Sequence, residues 1–400
     1  MPKHGTNRKP GAATRAIHLG YEPSEFRGAL TMPMFLTSTY AFETAQQGAG
    51  IFAGEEPGYV YGRTKNPTQE LLEIRMASLE NAEAGLASAS GIAAITTTIF
   101  THAKAGDTIL VDQVIYGCTF AFFAREITEF GVTTKFVDMT DLNAVEDAMK
   151  SEPRMVFFET PSNPNMRMID IEAISHMARK VGAMVVVDNT FATPIIQRPL
   201  ELGADLVVHS ATKFLGGHGD LLGGIVCGSS ELVNPIRGRG LRVLTGATIS
   251  PFNAFQILRG LKTLKLRVDA HSQSAQLVAE NLAKSEKTTS VIYPTLPDYP
   301  QKALAKKQMG DQGGAIIAVR FDGGAEAGHR FINALEMIKC AVSLGDAETL
   351  VQHPASMTHS IYTPEERATF GIDDDLLRIA VGLEEVEDLN ADINNALSQV

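Results

Sequence analysis

Lys213 stands just past a run of apolar residues, in Asp205-Leu206-Val207-Val208-His209-Ser210-Ala211-Thr212-Lys213. An amine held at the end of a buried strand loses hydration, which lowers its pKa and makes the neutral form available as a nucleophile. Schiff-base chemistry with a carbonyl compound needs that form. Ser210 and Thr212, at alternate positions beside the lysine, can offer hydroxyls to a phosphate. Gly216, Gly217 and Gly219 follow and let backbone approach a ligand closely. A strand-end lysine alone is an ordinary solvated edge residue; the surrounding hydroxyls and glycines make it a candidate.

A carboxylate precedes it at Asp188, closing the run Met184-Val185-Val186-Val187-Asp188. The C-terminal edge of a parallel strand is where open α/β sheets bind ligands. An Asp there can also be a simple loop cap. Paired with Lys213, it meets the requirement of pyridoxal 5'-phosphate: one lysine for the Schiff base and one carboxylate to keep the pyridine nitrogen protonated. The protonated ring is what makes that cofactor an electron sink.

These residues need a scaffold, and the middle of the chain supplies one. Thr108-Ile109-Leu110-Val111, Met155-Val156-Phe157-Phe158, Met184–Val187, Leu206-Val207-Val208 and Ile225-Val226-Cys227 are continuous and largely β-branched. Such runs suit strands buried on both faces of a mostly parallel sheet. Ile171, Ile174, Met177, Ala178 and Val181 recur at helical spacing behind Asp170, a plausible N-cap. Alternating strands and helices predict an α/β layer with helices on both faces.

From about residue 265 a long helical pattern, Leu266 to Lys287, leads to fewer strands, at Ala315–Val319 and Leu377–Val381. Residues 1–65 are rich in Gly, Thr and Pro and lack strong periodicity, so their core should lie against another domain or subunit. The expected division is an N-terminal arm at 1–65, a cofactor-binding α/β domain at 66–264 and a smaller α+β domain at 265–400.

The chain has 46 acidic and 35 basic residues among 400, a net charge of −11, which repels polyphosphate and does not attract an anionic membrane. Nucleic acid and lipid are therefore not expected partners. Cys118, Cys227 and Cys340 are too few and too scattered for a disulfide framework or a paired zinc signature. The first twenty residues carry Lys3, Arg8, Lys9 and Arg15 without an apolar signal-peptide core. The expectation is a soluble, cytoplasmic protein. His209 and His218 read as structural or supporting groups, and no metal site is expected.

The segment Asp205–Gly219 resembles the signature of the Cys/Met-metabolism family of pyridoxal-phosphate enzymes. The likeness extends from Thr14-Arg15-Ala16-Ile17-His18 to Leu377-Arg378-Ile379-Ala380-Val381-Gly382-Leu383-Glu384. It implies the aspartate-aminotransferase-like fold (PLP fold type I), a homotetramer made of two close dimers, and a sulfur amino acid as substrate. Ser88–Ile95 resembles the family's Ser-Gly-Met helix start, with Ile92 in place of Met. Backbone amides at such a start favour a phosphate dianion, so Ser90, Gly91 and Ile92 join Ser210 and Thr212 as expected phosphate ligands. Tyr59–Thr68 resembles the segment in which Tyr61 and Arg63 reach into a neighbouring subunit's phosphate site.

By the same resemblance, Tyr116 stacks on the cofactor ring and acts as general acid toward the departing group. A phenol of ordinary pKa about 10 changes proton state near neutrality only if cations stabilise its phenolate, and Arg63 is the candidate. Cys118 narrows the substrate: many relatives carry Gly there, whereas methionine γ-lyases typically carry Cys. Asn163 is implied at the ring's 3-oxygen. Arg378 and Ser343 are implied at the substrate α-carboxylate, beside a wall formed by Ser356-Met357-Thr358-His359-Ser360. The expected reaction is α,γ-elimination of methionine to methanethiol, 2-oxobutanoate and ammonia. Arg242-Val243 replaces the Lys-Asp common in methionine γ-lyases, which keeps cystathionine γ-lyase and O-acylhomoserine sulfhydrylase as alternatives. A non-catalytic assembly or cofactor-binding protein on the same fold is the remaining alternative.

Overall fold

The computed structural model describes residues 9–400; Lys3, Arg8 and the other six residues that begin the expected arm lie outside the described residues. Seven strands make the first sheet: β1 (Ala84–Ser88), β2 (Thr108–Asp112), β3 (Thr133–Val137), β4 (Met155–Glu159), β5 (Met184–Asp188), β6 (Leu206–Ser210) and β7 (Gly224–Gly228). Their order is β1-β7-β6-β5-β4-β2-β3. The five strands from β6 to β3 are parallel, while β7 runs antiparallel to both β6 and β1.

Burial on two faces explains the continuous apolar runs. In β4, Met155 and Phe157 enter one core cluster while Val156 and Phe158 enter another, and all four are fully buried. Each such side chain contributes about 1.5–3 kcal/mol by leaving water. The covering helix Ile171–Lys180 starts where expected, with the Asp170 carboxylate accepting the Ala173 N–H at 3.0 Å. β1 and β3 went unforeseen. β1 reads Ala-Gly-Leu-Ala-Ser, with little β-branched content, and β3 is polar and partly exposed.

The long helix Leu264–Ala283 leads to the second sheet. Its strands are β8 (Thr288–Ile292), β9 (Ile316–Phe321), β10 (Lys339–Cys340), β11 (Leu350–Gln352) and β12 (Leu376–Ala380), ordered β10-β11-β12-β9-β8. All pairs but β10 with β11 are antiparallel. The architecture is thus α/β, with a mostly parallel central sheet and a smaller sheet towards the C-terminus. The long helix also clamps the Lys213 loop: buried Arg267 donates to the carbonyl of Phe214 at 2.8 Å and to that of Gly260 at 2.9 Å.

The segment before residue 65 packs partly on its own chain, since Ala16 joins the cluster containing Leu71 and Leu72. Leu30 and Leu36 remain exposed. Among the described residues no helix is long and apolar enough to cross a membrane.

Candidate active site

The parallel strands β4, β5 and β6 end at a common cavity of about 280 Å³ that the second sheet closes from the other side. Twelve of the fourteen site residues expected from sequence line it. Ser90, Gly91 and Ile92 approach from a helix start, and Tyr116 and Cys118 from the short helix Gly117–Ala121. Asn163, Asp188, Ser210, Thr212 and Lys213 come from strand ends and their loops, whereas Ser343 and Arg378 come from the second sheet and its loops. The two that do not line it are Tyr61 and Arg63.

The phosphate cradle follows from helix geometry. Ser90 caps the twelve-residue helix Gly91–His102, its hydroxyl accepting the Ala93 N–H at 3.2 Å, so the first helical amides stay without helical acceptors. A Cβ on Gly91 would lie 2.7 Å from Ser210, so only glycine lets the helix start come this close to the end of β6. Thr212 is fixed by the Gly223 N–H, which it accepts at 3.1 Å.

Lys213 sits in a tight turn beyond β6, its carbonyl accepting the Gly217 N–H at 2.8 Å. The Nζ donates to the Ser343 hydroxyl at 3.0 Å. Burial, helped by the nearby Arg378 guanidinium and opposed by Asp346, pulls the amine down to a pKa of about 8. A measurable fraction is therefore neutral near neutrality, as nucleophilic attack requires.

Asp188 ends β5 in direct register with Glu159 at the end of β4. Burial raises both acids. Hydrogen bonds from Thr190, whose N–H donates to Asp188 at 2.9 Å, and the neighbouring His209 pull Asp188 back toward the charged form. Glu159 is pushed well above the carboxylate range by burial and then by Asp188. His209 lies on buried Glu80 at 2.6 Å, and His218 on the Gly216 carbonyl at 2.8 Å, both outside the cavity lining.

Tyr116 is held by its own N–H, which donates to Glu159 at 2.9 Å. Its hydroxyl lies 3.5 Å from the Cys118 Sγ. Burial, Cys118 and Glu159 raise the phenol, and the cation opposing them is Arg378. Within one chain, then, the phenol stays protonated at neutral pH, and the cation facing it is not Arg63. Arg63 instead donates to the Arg242 carbonyl and lies over the Tyr61 ring at 5.8 Å.

Arg378 is buried in the middle of β12. It donates to the Asn163 side-chain oxygen at 2.9 Å and the Ser343 carbonyl at 2.6 Å, and with its amide oxygen turned inward Gln352 accepts from it at 3.2 Å. All three acceptors are neutral. They orient the guanidinium without cancelling its charge, and burial lowers its pKa to about 10. A buried cation left this way is costly unless an anion completes the site. Ser343 itself holds a φ of 126°, a strained value for a residue with a side chain.

Three functional neighbours escaped the sequence reading. Glu159 and Asp346 belong to recognised segments but gain meaning only from the register with Asp188 and the packing on the Lys213 loop. Gln352 carried no signal. A lowered amine, a buried carboxylate and an anion cradle together fit pyridoxal 5'-phosphate. Among the described residues no group of three or more His, Cys, Asp and Glu could hold a metal ion.

The chain matches the model for Cys/Met metabolism PLP-dependent enzymes over residues 13–398. It is 56% identical over 394 residues to the L-methionine gamma-lyase of Pseudomonas putida, covering 98% of this chain and 99% of that protein. It is 43% identical to the O-succinylhomoserine sulfhydrylase of Pseudomonas aeruginosa, over 91% of this chain and 90% of the other. The structure of cystathionine gamma synthase from Xanthomonas oryzae pv. oryzae, in complex with aminoacrylate and cysteine, superposes with a TM-score of 0.93 at 37% identity, covering 98% and 99% of the two chains. Since this likeness spans every element that builds the cavity, the chain belongs to the Cys/Met metabolism family of PLP-dependent enzymes.

Proposed function

We propose that this chain catalyses the α,γ-elimination of L-methionine to methanethiol, 2-oxobutanoate and ammonia. The observation that carries the reading is the contact between Cys118 Sγ and the Tyr116 hydroxyl at 3.5 Å, inside the cavity that holds Lys213. It puts a soft, polarizable group beside the proton donor, where a departing thioether sulfur needs both. Leu222 and Val342, both exposed, add an apolar rim suited to a methylthio group. The 56% identity to the Pseudomonas putida L-methionine gamma-lyase supports the same substrate.

Pyridoxal phosphate, when bound, supplies an aldehyde for an amine and a ring that withdraws electrons from the substrate. The chain's own residues do the rest. Ser90, Gly91, Ile92, Ser210 and Thr212 would bind the phosphate, and Asp188 would keep the ring nitrogen protonated. Asn163, its side-chain oxygen accepting from Arg378, would offer its NH₂ to the ring's 3-oxygen. Arg378, with Ser343, binds the substrate α-carboxylate and fixes which bond at Cα stands ready to break. The Lys213 amine removes the α-proton and later returns a proton to the substrate. Tyr116, held protonated, delivers its proton to the leaving sulfur.

The same reading makes the protein a homotetramer of two close dimers, in which Tyr61 and Arg63 serve the adjoining subunit's phosphate site. Their exclusion from their own chain's cavity agrees with that role. It also keeps the three-part division at 65 and 264: the strands of the first sheet fall between Ala84 and Gly228, and those of the second between Thr288 and Ala380. Three unpaired cysteines fit a reducing cytoplasm.

Arg242-Val243 favours a second reading, in which the substrate is cystathionine or an O-acylhomoserine. Val243 is exposed in the helical segment Ile236–Thr245, next to Arg242, whose carbonyl receives Arg63, and an acid there would change the local surface charge. Incubating the purified holoenzyme with methionine, cystathionine, and O-acetylhomoserine plus sulfide separates the readings. Methanethiol from methionine is the expected result. Turnover of the others alone would transfer the assignment to them, and no turnover of any would leave the non-catalytic alternative.

A further inference from the structure

We propose that Asp346 is a positioning residue that receives the Lys213 ammonium, by way of Ser343, whenever the amine takes up a proton. The inference rests on the reading of Lys213 as the group that carries the substrate's α-proton. When that proton leaves Cα, the bonding electron pair stays with the substrate and the proton ends on Nζ. The resulting cation stands in a cavity that already contains Arg378, and repulsion between the two would drive the proton off again or swing the side chain away.

The loop from Ala341 to Asp346 is built to prevent this. It lies across the Lys213 turn at two points. A Cβ on Gly345, whose φ is +77°, would lie 2.6 Å from the Phe214 nitrogen, and one on Gly219 would lie 3.4 Å from the Asp346 carboxyl carbon. Ser343 sits between: its hydroxyl accepts from Lys213 Nζ at 3.0 Å, and it draws the Asp346 carboxyl down. Asp346 is only 6% exposed, yet its Oδ1 has no hydrogen-bond partner. An unpaired carboxylate oxygen in such a place is costly unless a donor arrives during the reaction cycle.

The other charged groups near this carboxylate do not fill that role. Arg267, on the helix beneath, is committed to the carbonyls of Phe214 and Gly260 and to the Thr263 hydroxyl. Arg378 is committed to Asn163 and the Ser343 carbonyl. Burial raises Asp346, with a smaller push from Glu348, whereas Ser343, Lys213 and the Gly219 N–H draw it down. Across the cavity stand Tyr116 and Cys118 on their short helix and Glu159 and Asp188 at the strand ends. Among all these, the amine of Lys213 is acted on by Arg378, which disfavours its protonation, and by Asp346, which favours it.

The test uses the full chain freed of cofactor, labelled across a pH series with trinitrobenzenesulfonate, which reacts only with neutral amines; Lys213 modification is read by peptide mass. Asp346→Asn should lower the midpoint of labelling, and a midpoint lower by half a pH unit makes Lys213 react about threefold faster at pH 7. Asp346→Glu should restore the original profile. In the holoenzyme, Asp346→Asn should lower kcat for methionine while leaving KM nearly unchanged, with the acid limb of the kcat profile displaced. If the amide variant does not fold, Asp346→Ser takes its place. A profile that stays put in whichever neutral variant folds overturns the role of Asp346. Failure of the cofactor to attach at Lys213 would instead overturn the functional reading, and the amine profile would still stand as a separate result.

Discussion

At the ends of β5 and β6 the first sheet presents Asp188, raised by burial and drawn back by its hydrogen bonds with Thr190, and Lys213, lowered by burial with its Nζ donating to Ser343. On the facing sheet, Arg378 sits in a wholly buried strand and is oriented by neutral oxygens that leave its charge intact. The first arrangement fixes proton states before any ligand arrives. The second holds a charge in reserve for the ligand. One sheet therefore tunes the chemistry and the other selects what may undergo it, so substitutions on the two sides should fail differently.

Lys213→Arg should have the largest effect. It removes the nucleophilic amine and the proton carrier together, and the rate of elimination should fall by about 10²–10⁴-fold or more while circular dichroism shows a folded protein. Arg378→Gln comes next. It loses charge-assisted hydrogen bonds to the carboxylate worth about 1.5–3 kcal/mol, so kcat/KM should fall mainly through KM. Cofactor absorbance should be retained. Comparable loss of cofactor in both variants would erase the distinction between the two sides.

Smaller effects sharpen it. Cys118→Gly should reduce kcat/KM for methionine relative to cystathionine by about tenfold, since a pocket that changes by a small side chain discriminates within about 1–3 kcal/mol. An unchanged ratio of the two substrates would remove Cys118 from specificity. Val243→Asp should have the least effect, altering substrate preference by a few tenths of a kcal/mol to about 1 kcal/mol, as exposed charges do, and fading in high salt.

The same contrast explains what the sequence could reveal. Lys213, Ser210, Thr212 and Asp188 lie in short contiguous segments, and a buried apolar run ending in a polar group is visible one strand at a time. The runs at β2, β4, β5, β6 and β7 were legible for that reason, although the antiparallel direction of β7 was not. β1 was hidden by its Ala-Gly composition. Glu159 matters through its register with Asp188, and Asp346 through packing on a turn far earlier in the chain; neither relation has a local signature. Within one chain the Tyr116 phenol is raised by burial and by the adjacent Cys118 and Glu159, against which Arg378 acts, a balance set by side chains far apart in sequence.

Treating the holoenzyme with borohydride and mapping its peptides tests most directly whether the tuned side of the cavity does what is claimed for it. A single pyridoxyl mass on the peptide containing Lys213 is predicted, with none in Lys213→Arg and no methanethiol from that variant. A label on another lysine, or a Lys213→Arg protein that turns over methionine at the original rate, would contradict the account.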